Sequence, residues 1–379
     1  MSDASFAVID VDSHVTEVPD LWTSRLPKSW GDDVPHLWFD EDAQLDRWKV
    51  GSTALTPVGY FAATRHQYPY YPTTLSEADP GSYDPKVRIE RLDEFGLEAQ
   101  VLYPNIIGFN SYAFAQLPRE RSIACVQAYN DHMSEFAATS PKRFVPIAML
   151  PFWDIEATRR EIERVAGMGY KGVLFAAHWE RIDLPPIEDE IWHPVLATAQ
   201  EAGVSLNTHI GFQRGEIVFK PDLTRDRLPM VAAAVNTGLA NASAVARFVG
   251  NGICHKYPDL KFVSVESGFN YLPWVLDSMD WHFKNLNVGH QYPDMELPST
   301  YFRRQVYATF WFERLNTESA VEFQDNIMFE TDYPHPTSLM ANEVSTRPLD
   351  FVEDSIKKLP PEVARKVLHD NAAKLYGLA

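Results

Sequence analysis

The sequence predicts a TIM-like (β/α)8 barrel, in which eight parallel strands alternate with eight or more helices. Eight short apolar runs are distributed along almost the whole chain, and segments of helical periodicity separate nearly all of them. Strands that alternate with helices are parallel, and eight parallel strands close into a barrel with the helices outside. No GxGxxG turn follows any run, which disfavours an open, doubly wound sheet.

The first predicted strand lies in residues 6–14, where a polar residue occupies every second position of an apolar run. Because successive side chains of a strand alternate between its faces, Asp10, Asp12 and His14 would point to one side. Two acids and an imidazole are costly to bury unless a cation lies among them. This segment therefore predicts a divalent metal ion at the C-terminal end of the strand.

Residues 15–83 form a long segment rich in Pro, Trp and Tyr. A structureless loop of this length is unusual in a compact domain, so we predict an insertion with small strands of its own that acts as a cap. His66 lies in this insertion and is a candidate contact for a substrate.

The remaining elements follow in order from Asp84, where a capping aspartate and a first-turn proline begin a helix that ends at Gly96. Further strands are predicted over residues 98–103, 143–150, 172–176, 204–208, 260–266, 306–311 and 326–331. Helices are predicted over residues 118–139, 155–168, 188–202, 228–255, 271–285 and 317–323, with two more at the end of the chain. No interdomain linker or internal repeat interrupts this order, so we predict a single domain over residues 1–379.

The composition excludes several classes of protein. Hydrophobic residues make up 45% and charged residues 23% of the chain, as in an ordinary globular protein. The net charge of −18 argues against nucleic acid or an anionic membrane as a partner. The two cysteines form no CxxC motif, and neither a signal peptide nor a run of eighteen apolar residues is present. We therefore expect a cytoplasmic enzyme without a disulfide framework or a membrane span.

Ionisable residues of metal-binding types end five of the eight predicted strands. Barrel enzymes carry their chemistry at the C-terminal ends of the strands. These ends carry Asp12 and His14 on strand one, His178 on strand four, His209 on strand five, Glu266 on strand six and Asp332 on strand eight. The set predicts a metal centre at one end of the barrel.

Several of these segments resemble the amidohydrolase superfamily. They are residues 9–15 (IDVDSHV), 171–173 (KGV), 207–209 (NTH), 330–335 (ETDYPH) and 371–377 (NAAKLYG). The sequence is most similar to the amidohydrolase-related branch that includes non-oxidative aromatic-acid decarboxylases. The resemblance implies that Asp12 and His14 form the first-strand ligand pair, that His209 is the strand-five ligand and that Asp332 is the strand-eight aspartate.

The sequence departs from this family at three positions. Glu266 stands where the decarboxylases usually have a histidine at the end of strand six. His178 is the best match to the strand-four lysine that bridges two metals in the hydrolases. Asp12 replaces the first histidine of the hydrolases' H-x-H pair.

The candidate ligands are three carboxylates and three imidazoles, more than a single catalytic zinc needs. Two divalent ions would neutralise the carboxylates and leave one positive charge, so the count favours a dinuclear centre of zinc, iron or manganese. In the alternative, one ion lies among Asp12, His14, His209 and Asp332. Glu266 is then an acid or base, and His178 holds the substrate.

From these residues we predict metal-dependent hydrolysis of a small, carboxylate-bearing or aromatic substrate. A metal-activated water would be the nucleophile, and Asp332 would take its proton. One alternative is a di-iron, O2-dependent monooxygenase, which Glu266 in place of histidine favours. The other is non-oxidative decarboxylation of an aromatic acid, which the family resemblance and the aromatic-rich insertion favour.

Further candidates lie near the predicted centre. Arg303 or Arg304, before strand seven, could clamp a substrate carboxylate. His335 closely follows Asp332, and Asn270 and Trp274 follow Glu266 towards the mouth of a pocket. The family resemblance also leads us to expect a homodimer.

Overall fold

The computed structural model describes residues 7–64, 66, 70–176, 178–211, 227–339 and 347–378. The strands are β1 (Ile9–Val15), β2 (His36–Asp40), β3 (Leu45–Val50), β4 (Thr53–Pro57), β5 (Ala99–Pro104), β6 (Phe144–Ala148), β7 (Gly172–Phe175), β8 (Ser205–His209), β9 (Phe262–Val265), β10 (Val306–Phe310) and β11 (Ile327–Phe329). The helices are α1 (Pro85–Phe95), α2 (Ile106–Phe109), α3 (Ser111–Ala115), α4 (Arg119–Ala138), α5 (Ile155–Gly167), α6 (His193–Ala202), α7 (Leu228–Gly250), α8 (Ile253–Lys256), α9 (Leu272–Asn285), α10 (Val288–Gln291), α11 (Pro298–Gln305), α12 (Thr317–Glu322), α13 (Pro348–Ile356), α14 (Pro361–Arg365) and α15 (Asn371–Tyr376). Short 3-10 segments lie at Lys28–Asp33, Val58–Ala62, Leu75–Glu77, Pro80–Ser82, Trp179–Ile182 and Glu190–Trp192, and a π-helical turn lies at Lys366–Asp370.

Eight of the strands form a parallel barrel in the order β1, β5, β6, β7, β8, β9, β10, β11. A parallel bridge between Ser13 and Tyr333 brings the last strand back to the first. Two backbone hydrogen bonds reinforce this closure, from His14 N to Tyr333 O (2.6 Å) and from Asp332 N to Asp12 O (2.9 Å). The predicted (β/α)8 barrel is confirmed.

The start of α1 follows from its sequence. The Asp84 carboxylate accepts hydrogen bonds from Lys86 N and Val87 N, and Pro85 occupies the first helical position. Gly96 adopts a left-handed conformation (φ 72°), which ends the helix. The predicted cap, first turn and stop are therefore all observed.

The long predicted helix over residues 228–255 is two helices in the structure. Gly252 adopts φ 75° between α7 and α8, a left-handed conformation that a continuous helix does not allow. Among the described residues, α7 alone is long and apolar enough, with a mean hydropathy of 1.2 over eighteen residues, to cross a membrane on length and composition. One such helix is weak evidence for a span, because buried helices of soluble proteins meet the same criterion.

The insertion after β1 carries an antiparallel sheet of β2, β3 and β4. Trp22 and Trp48, the latter on β3, are fully buried with ring centroids 5.0 Å apart, and the Trp22 indole donates to Cys125 O on α4. Both tryptophans belong to the same hydrophobic core as the barrel strands. We propose on this basis that the chain is one domain and that the insertion is a cap built onto the barrel.

Candidate metal centre

β1 places Asp12 and His14 inside the barrel, where their side chains are at most 1% exposed. The Nδ1 atom of His14 lies 3.3 Å from Pro104 O. A carbonyl oxygen only accepts hydrogen bonds, so Nδ1 carries the proton and Nε2 presents its lone pair. That nitrogen lies 3.5 Å from Asp12 Oδ1, so both side chains face the same point.

β8 ends at His209 on the adjacent side of this point. His209 Nδ1 donates to Ile210 O at 2.8 Å, so its Nε2 also presents a lone pair. The Nε2 atoms of His209 and His14 are only 3.1 Å apart, and His209 Nε2 lies 3.5 Å from Asp12 Oδ2. Neither nitrogen has a proton to donate to the other, so the short distance is that of two ligands of one cation.

Asp332 and Glu266 complete the cluster from the ends of β11 and β9. Both are non-glycine residues in the left-handed region, with φ of 59° and 54°. Such conformations cost on the order of 1–3 kcal/mol and often occur at functional sites. Asp332 Oδ1 lies 3.6 Å from His14 Nε2, and Glu266 Oε2 lies 3.6 Å from His209 Nε2.

The spacing of these atoms fits a divalent metal ion. Ligand atoms at about 2.1 Å from a metal, in tetrahedral or octahedral geometry, are separated from one another by about 3.0–3.4 Å. Four separations among the nitrogen and oxygen atoms of Asp12, His14, His209 and Asp332 run from 3.1 to 3.6 Å: His14 to each of the other three residues, and His209 to Asp12. Both carboxylate oxygens of Asp12 are buried without a hydrogen-bond partner among the described residues. A cation beside them would satisfy both.

The buried carboxylates of the cluster also favour a bound cation. Burial, together with the charge of Asp332, raises the pKa of Asp12 and of Glu266 well above their usual values. Burial lowers the pKa of His14 and His209, and the neighbouring imidazoles lower that of His14 further. The imidazoles are therefore neutral ligands, and the carboxylates ionise fully only when a positive charge is present.

His335 lies against this cluster and is one of the predicted residues that the structure brings to it. Its ring stacks on the ring of His14 with centroids 3.8 Å apart, and its Nδ1 lies 2.8 Å from Asp332 Oδ1. Its Nε2 donates to Asn105 Oδ1 at 2.7 Å. Asn105 in turn follows β5, where Asn105 N and Ile106 N donate to the buried carboxylate of Glu17.

The hydrogen bonds that link Glu17, Asn105 and His335 lead to a prediction about metal affinity. Replacing Asn105 with alanine removes the acceptor that orients His335 against Asp332, so manganese affinity should fall by about 10-fold or more. Isothermal titration of the metal-free protein with Mn²⁺ measures this. Asn270→Ala is the matched control, because the Asn270 amide contacts Arg314 O on an exposed loop. Equal affinities of the two variants would contradict the prediction.

A second prediction concerns Glu17, whose pKa burial raises to about 7. A carboxyl group with a raised pKa in the folded state binds its proton more tightly there than in the unfolded chain. It therefore destabilises the fold as pH rises from about 4.5 to about 7. Glu17→Gln should gain about 3 kcal/mol of unfolding free energy relative to wild type between pH 4.5 and pH 8. Urea unfolding at both pH values measures this, with Glu353→Gln, a substitution of an exposed glutamate on α13, as the control.

His178 does not lie in the metal cluster, and its prediction as a metal ligand and catalytic residue is corrected. β7 ends at Phe175, and His178 lies directly before a 3-10 segment at Trp179–Ile182. His178 Nε2 donates to Ala240 O on α7 at 2.9 Å, and its Nδ1 lies 3.0 Å from Arg247 Nη1. The residue connects the barrel to α7.

The predicted substrate contacts other than His335 also lie away from the cluster. Arg303 pairs with Glu322, and Arg304 pairs with Glu296. Both arginines lie near the end of α11, which leads into the start of β10, so they lie at the opposite end of the barrel from the metal ligands. Trp274 is 75% exposed on α9. Asn270 is exposed, and the ring of His66 contacts the backbone oxygen of Thr64. None of these side chains has a described contact with the metal cluster.

Two phenylalanines that the sequence reasoning missed cover the imidazoles. Phe61 from the insertion and Phe109 from α2 stack with centroids 5.0 Å apart and planes inclined by 13°. The Phe109 ring lies 5.4–5.7 Å from the rings of His14, His209 and His335. No sequence pattern marks these two positions, because they approach the centre only after the insertion packs on the barrel.

Glu330 was also missed, although it lies within the ETDYPH segment. It is fully buried, and its Oε2 accepts a hydrogen bond from Glu266 N at 3.2 Å. This bond links the backbone of Glu266 to the segment that carries Asp332. Its position directly after β11 and two residues before Asp332 was the available signal.

Comparison of the whole chain with known proteins identifies its family and its relatives. The model of the family described as amidohydrolase matches residues 11–378. The chain is 24% identical over 312 residues to 2-amino-3-carboxymuconate-6-semialdehyde decarboxylase of Dictyostelium discoideum, covering 80% of this chain and 79% of that protein. It is 26% identical over 259 residues to gamma-resorcylate decarboxylase of a Polaromonas species, covering 65% and 76%.

Solved structures show the same fold. 5-Carboxyvanillate decarboxylase of Sphingomonas paucimobilis superposes with a TM-score of 0.65 at 21% identity, covering 99% of this chain and 100% of that one. A dihydroxybenzoic acid decarboxylase of Polaromonas, solved with bound manganese and the inhibitor 2-nitroresorcinol, gives 0.61 at 20% identity, covering 98% and 97%. Because these relatives and neighbours are decarboxylases, the predicted hydrolase activity is wrong. They give the di-iron monooxygenase alternative no support.

Proposed function

Because the chain belongs to the amidohydrolase family and is a metal-dependent enzyme of that fold, we propose that it decarboxylates an aromatic acid without oxidation. The decarboxylase relatives support this reaction. The observation that carries the proposal is the convergence of two imidazole nitrogens and two carboxylates on one point, beneath the wall of Phe61 and Phe109. The partner of this site is a small molecule.

We assign the metal ion to Asp12, His14, His209 and Asp332. Mixed carboxylate and imidazole ligands suit manganese, the ion bound by the Polaromonas decarboxylase of the same fold. The bound ion would supply positive charge to hold the oxygen atoms of an aromatic acid. Asp12 and Asp332 would balance that charge, and the second nitrogens of His14 and His209, anchored on backbone carbonyls, keep the ligand nitrogens in place.

The reaction needs a proton donor and no oxidant. The bond between the ring carbon and the carboxyl carbon breaks, CO2 leaves, and the electron pair of that bond binds a proton at the ring carbon. We assign the proton transfer to Glu266, which ends β9 where the decarboxylases that the sequence resembles usually carry a histidine. Its Oε2 lies beside the ligand nitrogen of His209, within reach of a substrate held at the metal.

The stacked pair of Phe61 and Phe109 supports an aromatic substrate. Phe61 is 3% exposed and lies beside His335, and Phe109 lies beside the ligand imidazoles of His14 and His209. The two stacked rings form an apolar wall. Aromatic rings associate by offset stacking or edge-to-face contact, and such a wall also excludes water from the reacting carbon. The charged end of the substrate would face the metal, and its ring would face this wall.

The test is a decarboxylation assay of the manganese-loaded enzyme on 2,6-dihydroxybenzoate, 5-carboxyvanillate and salicylate. We expect release of CO2 from at least one acid under anaerobic conditions, with one deuterium incorporated at the vacated ring carbon in D2O. Consumption of oxygen, or no release of CO2 from any aromatic acid by metal-loaded enzyme, would overturn the proposal.

A further inference from the structure

Arg88, in the first turns of α1, is a completely buried cation. Its side chain is 0% exposed, and burial lowers the pKa of its guanidinium. Arginines are almost never fully buried unless an opposite charge is paired with them. The hydrogen bonds of Arg88 to the described residues nevertheless all go to uncharged oxygen atoms. The groups that it binds therefore indicate why a charge is buried at this position.

The Arg88 guanidinium joins three segments near the point where the barrel closes. Its Nη2 donates to His14 O on β1 at 2.5 Å, and its Nε donates to Gly81 O, in the segment before α1, at 2.5 Å. Its Nη1 donates to Gln100 Oε1 on β5 at 3.1 Å. A guanidinium presents five N–H donors in a rigid planar fork, whereas a lysine presents three from a single nitrogen. Only an arginine can therefore make all three bonds at once.

Through these bonds Arg88 reaches both metal ligands of β1. The bond to the carbonyl of His14 is direct. The second path runs through Gln100, whose Nε2 donates to Asp10 Oδ2 at 2.8 Å. The other oxygen of Asp10 accepts from Asp12 N at 3.2 Å. The backbone of each ligand residue is thus tied to the same buried side chain.

Arg88 also contacts the segment that carries the ligand after β11. Its guanidinium carbon lies 4.5 Å from the centre of the Tyr333 ring, a cation–π contact. Tyr333 directly follows Asp332, and its hydroxyl donates to Asp79 Oδ2 at 3.1 Å. The Tyr333 carbonyl accepts from His14 N across the closure of the barrel. Arg88 therefore contacts both sides of this closure.

We propose that Arg88 is a positioning residue of the metal centre. It holds the ends of β1 and β11 at the separation at which Asp12, His14 and Asp332 converge on one ion, and it does not touch the ion itself. Binding sites depend on such placement, because ligand atoms must lie within about 0.5 Å of their productive positions. The proposal rests on the ligand set assigned under the proposed function, but it does not depend on the reaction that the centre catalyses.

The test is the Mn²⁺ affinity of Arg88→Lys and Arg88→Met, measured by isothermal titration of metal-free protein whose circular dichroism matches wild type. Arg88→Lys keeps the charge but loses the fork, so both variants should bind Mn²⁺ about 10-fold or more weakly than wild type. Arg47→Lys is the matched control, because Arg47 is also buried and donates to a backbone oxygen, that of Leu55, but lies on β3 of the cap. It should keep the wild-type affinity.

The outcomes separate this proposal from the proposed function. Wild-type affinity in Arg88→Lys would overturn the positioning role, whether or not Arg88→Met is weakened, because the charge alone would then suffice. Wild type that binds no Mn²⁺ would instead overturn the ligand set on which the proposal rests. Wild type that binds Mn²⁺ but releases no CO2 would overturn only the reaction.

A second measurement distinguishes positioning from stability and uses a milder variant. Gln100→Leu removes one acceptor of Arg88 and the donor to Asp10, but it leaves the buried charge in place. The electron paramagnetic resonance spectrum of bound Mn²⁺ reports the ligand geometry, which a residue that only stabilises the fold does not change. At saturating Mn²⁺ this spectrum should differ from wild type in Gln100→Leu and in Arg88→Lys.

The two substitutions should also be coupled. The loss of Mn²⁺ affinity in the double variant R88K/Q100L should be smaller than the product of the two single losses, because both act on one network. A wild-type spectrum in Gln100→Leu, or losses that multiply in the double variant, would overturn the proposal. The spectrum of Gln100→Leu decides the question by itself where the Arg88 variants do not fold.

Discussion

Glu266→Gln should lower the turnover number by about 10²–10⁴-fold while the protein keeps its manganese. General acid catalysis contributes an effect of this size, and glutamine has nearly the same shape as glutamate but no acidic proton. We expect activity to fall without loss of metal because Glu266 is not among the four residues to which we assign the ion. Steady-state kinetics on the substrate found in the CO2 assay, with elemental analysis of the same sample, measures both.

Two further variants test whether Glu266 is the proton donor. Glu266→His restores the residue type that decarboxylases usually have at the end of strand six, and it should recover part of the activity. Glu313→Gln is the control, because Glu313 is a partly buried glutamate at the same end of the barrel whose carboxylate accepts hydrogen bonds from Phe269 N and Asn270 N. It should keep its turnover. Loss of metal from Glu266→Gln in proportion to its activity would instead make Glu266 a ligand.

Asp12→Asn should abolish tight metal binding and at the same time stabilise the metal-free protein. Both carboxylate oxygens of Asp12 are buried without a partner among the described residues, and Asp332 lies beside them. Without a cation this arrangement is destabilising, and the asparagine amide removes the negative charge. A ligand at 100 times its Kd stabilises a fold by about 2.7 kcal/mol, so a 100-fold loss of affinity should reduce that gain to about 0.4 kcal/mol. Calorimetry with and without Mn²⁺ measures the two effects separately.

Asp10→Asn provides the control two residues away on the same strand. Asp10 is equally buried, but its oxygens accept hydrogen bonds from Asp12 N, Thr331 N, Thr331 Oγ1 and Gln100 Nε2. Its replacement should lower the melting temperature in the presence and absence of metal by a similar amount. An Asp12→Asn protein with unchanged manganese affinity would contradict the ligand set that we assign.

The family resemblance seen in the sequence is confirmed. The main prediction, hydrolysis, which was drawn from the candidate ligands, was wrong, because the relatives are decarboxylases, as in the alternative that the resemblance favoured. The ligand types at the strand ends are shared by enzymes that hydrolyse and enzymes that decarboxylate, because both use a metal ion to hold oxygen atoms. The number of candidate ligands favoured two ions partly because it included His178, which the structure places against α7 and not in the cluster. Without that residue the cluster is compatible with one ion and a separate acid.

The sequence by itself determined the barrel and the end of it that carries the chemistry. Alternation of faces within β1 put Asp12 and His14 on one side, and parallel strands bring their carboxyl ends to one rim, so His209, Glu266 and Asp332 could be grouped by position alone. The cap and stop of α1 were likewise local, since Asp84, Pro85 and Gly96 act on their own backbone.

Only the tertiary structure decided which side chains beyond the strand ends face the centre. The direction of His178 depends on the turn after β7, and the place of Arg303 depends on which end of the barrel α11 occupies. Phe61 and Phe109 meet because an insertion folds back over the rim, and His335 reaches Asn105 across 230 residues of sequence. Such contacts depend on how distant segments pack, which local sequence patterns do not encode.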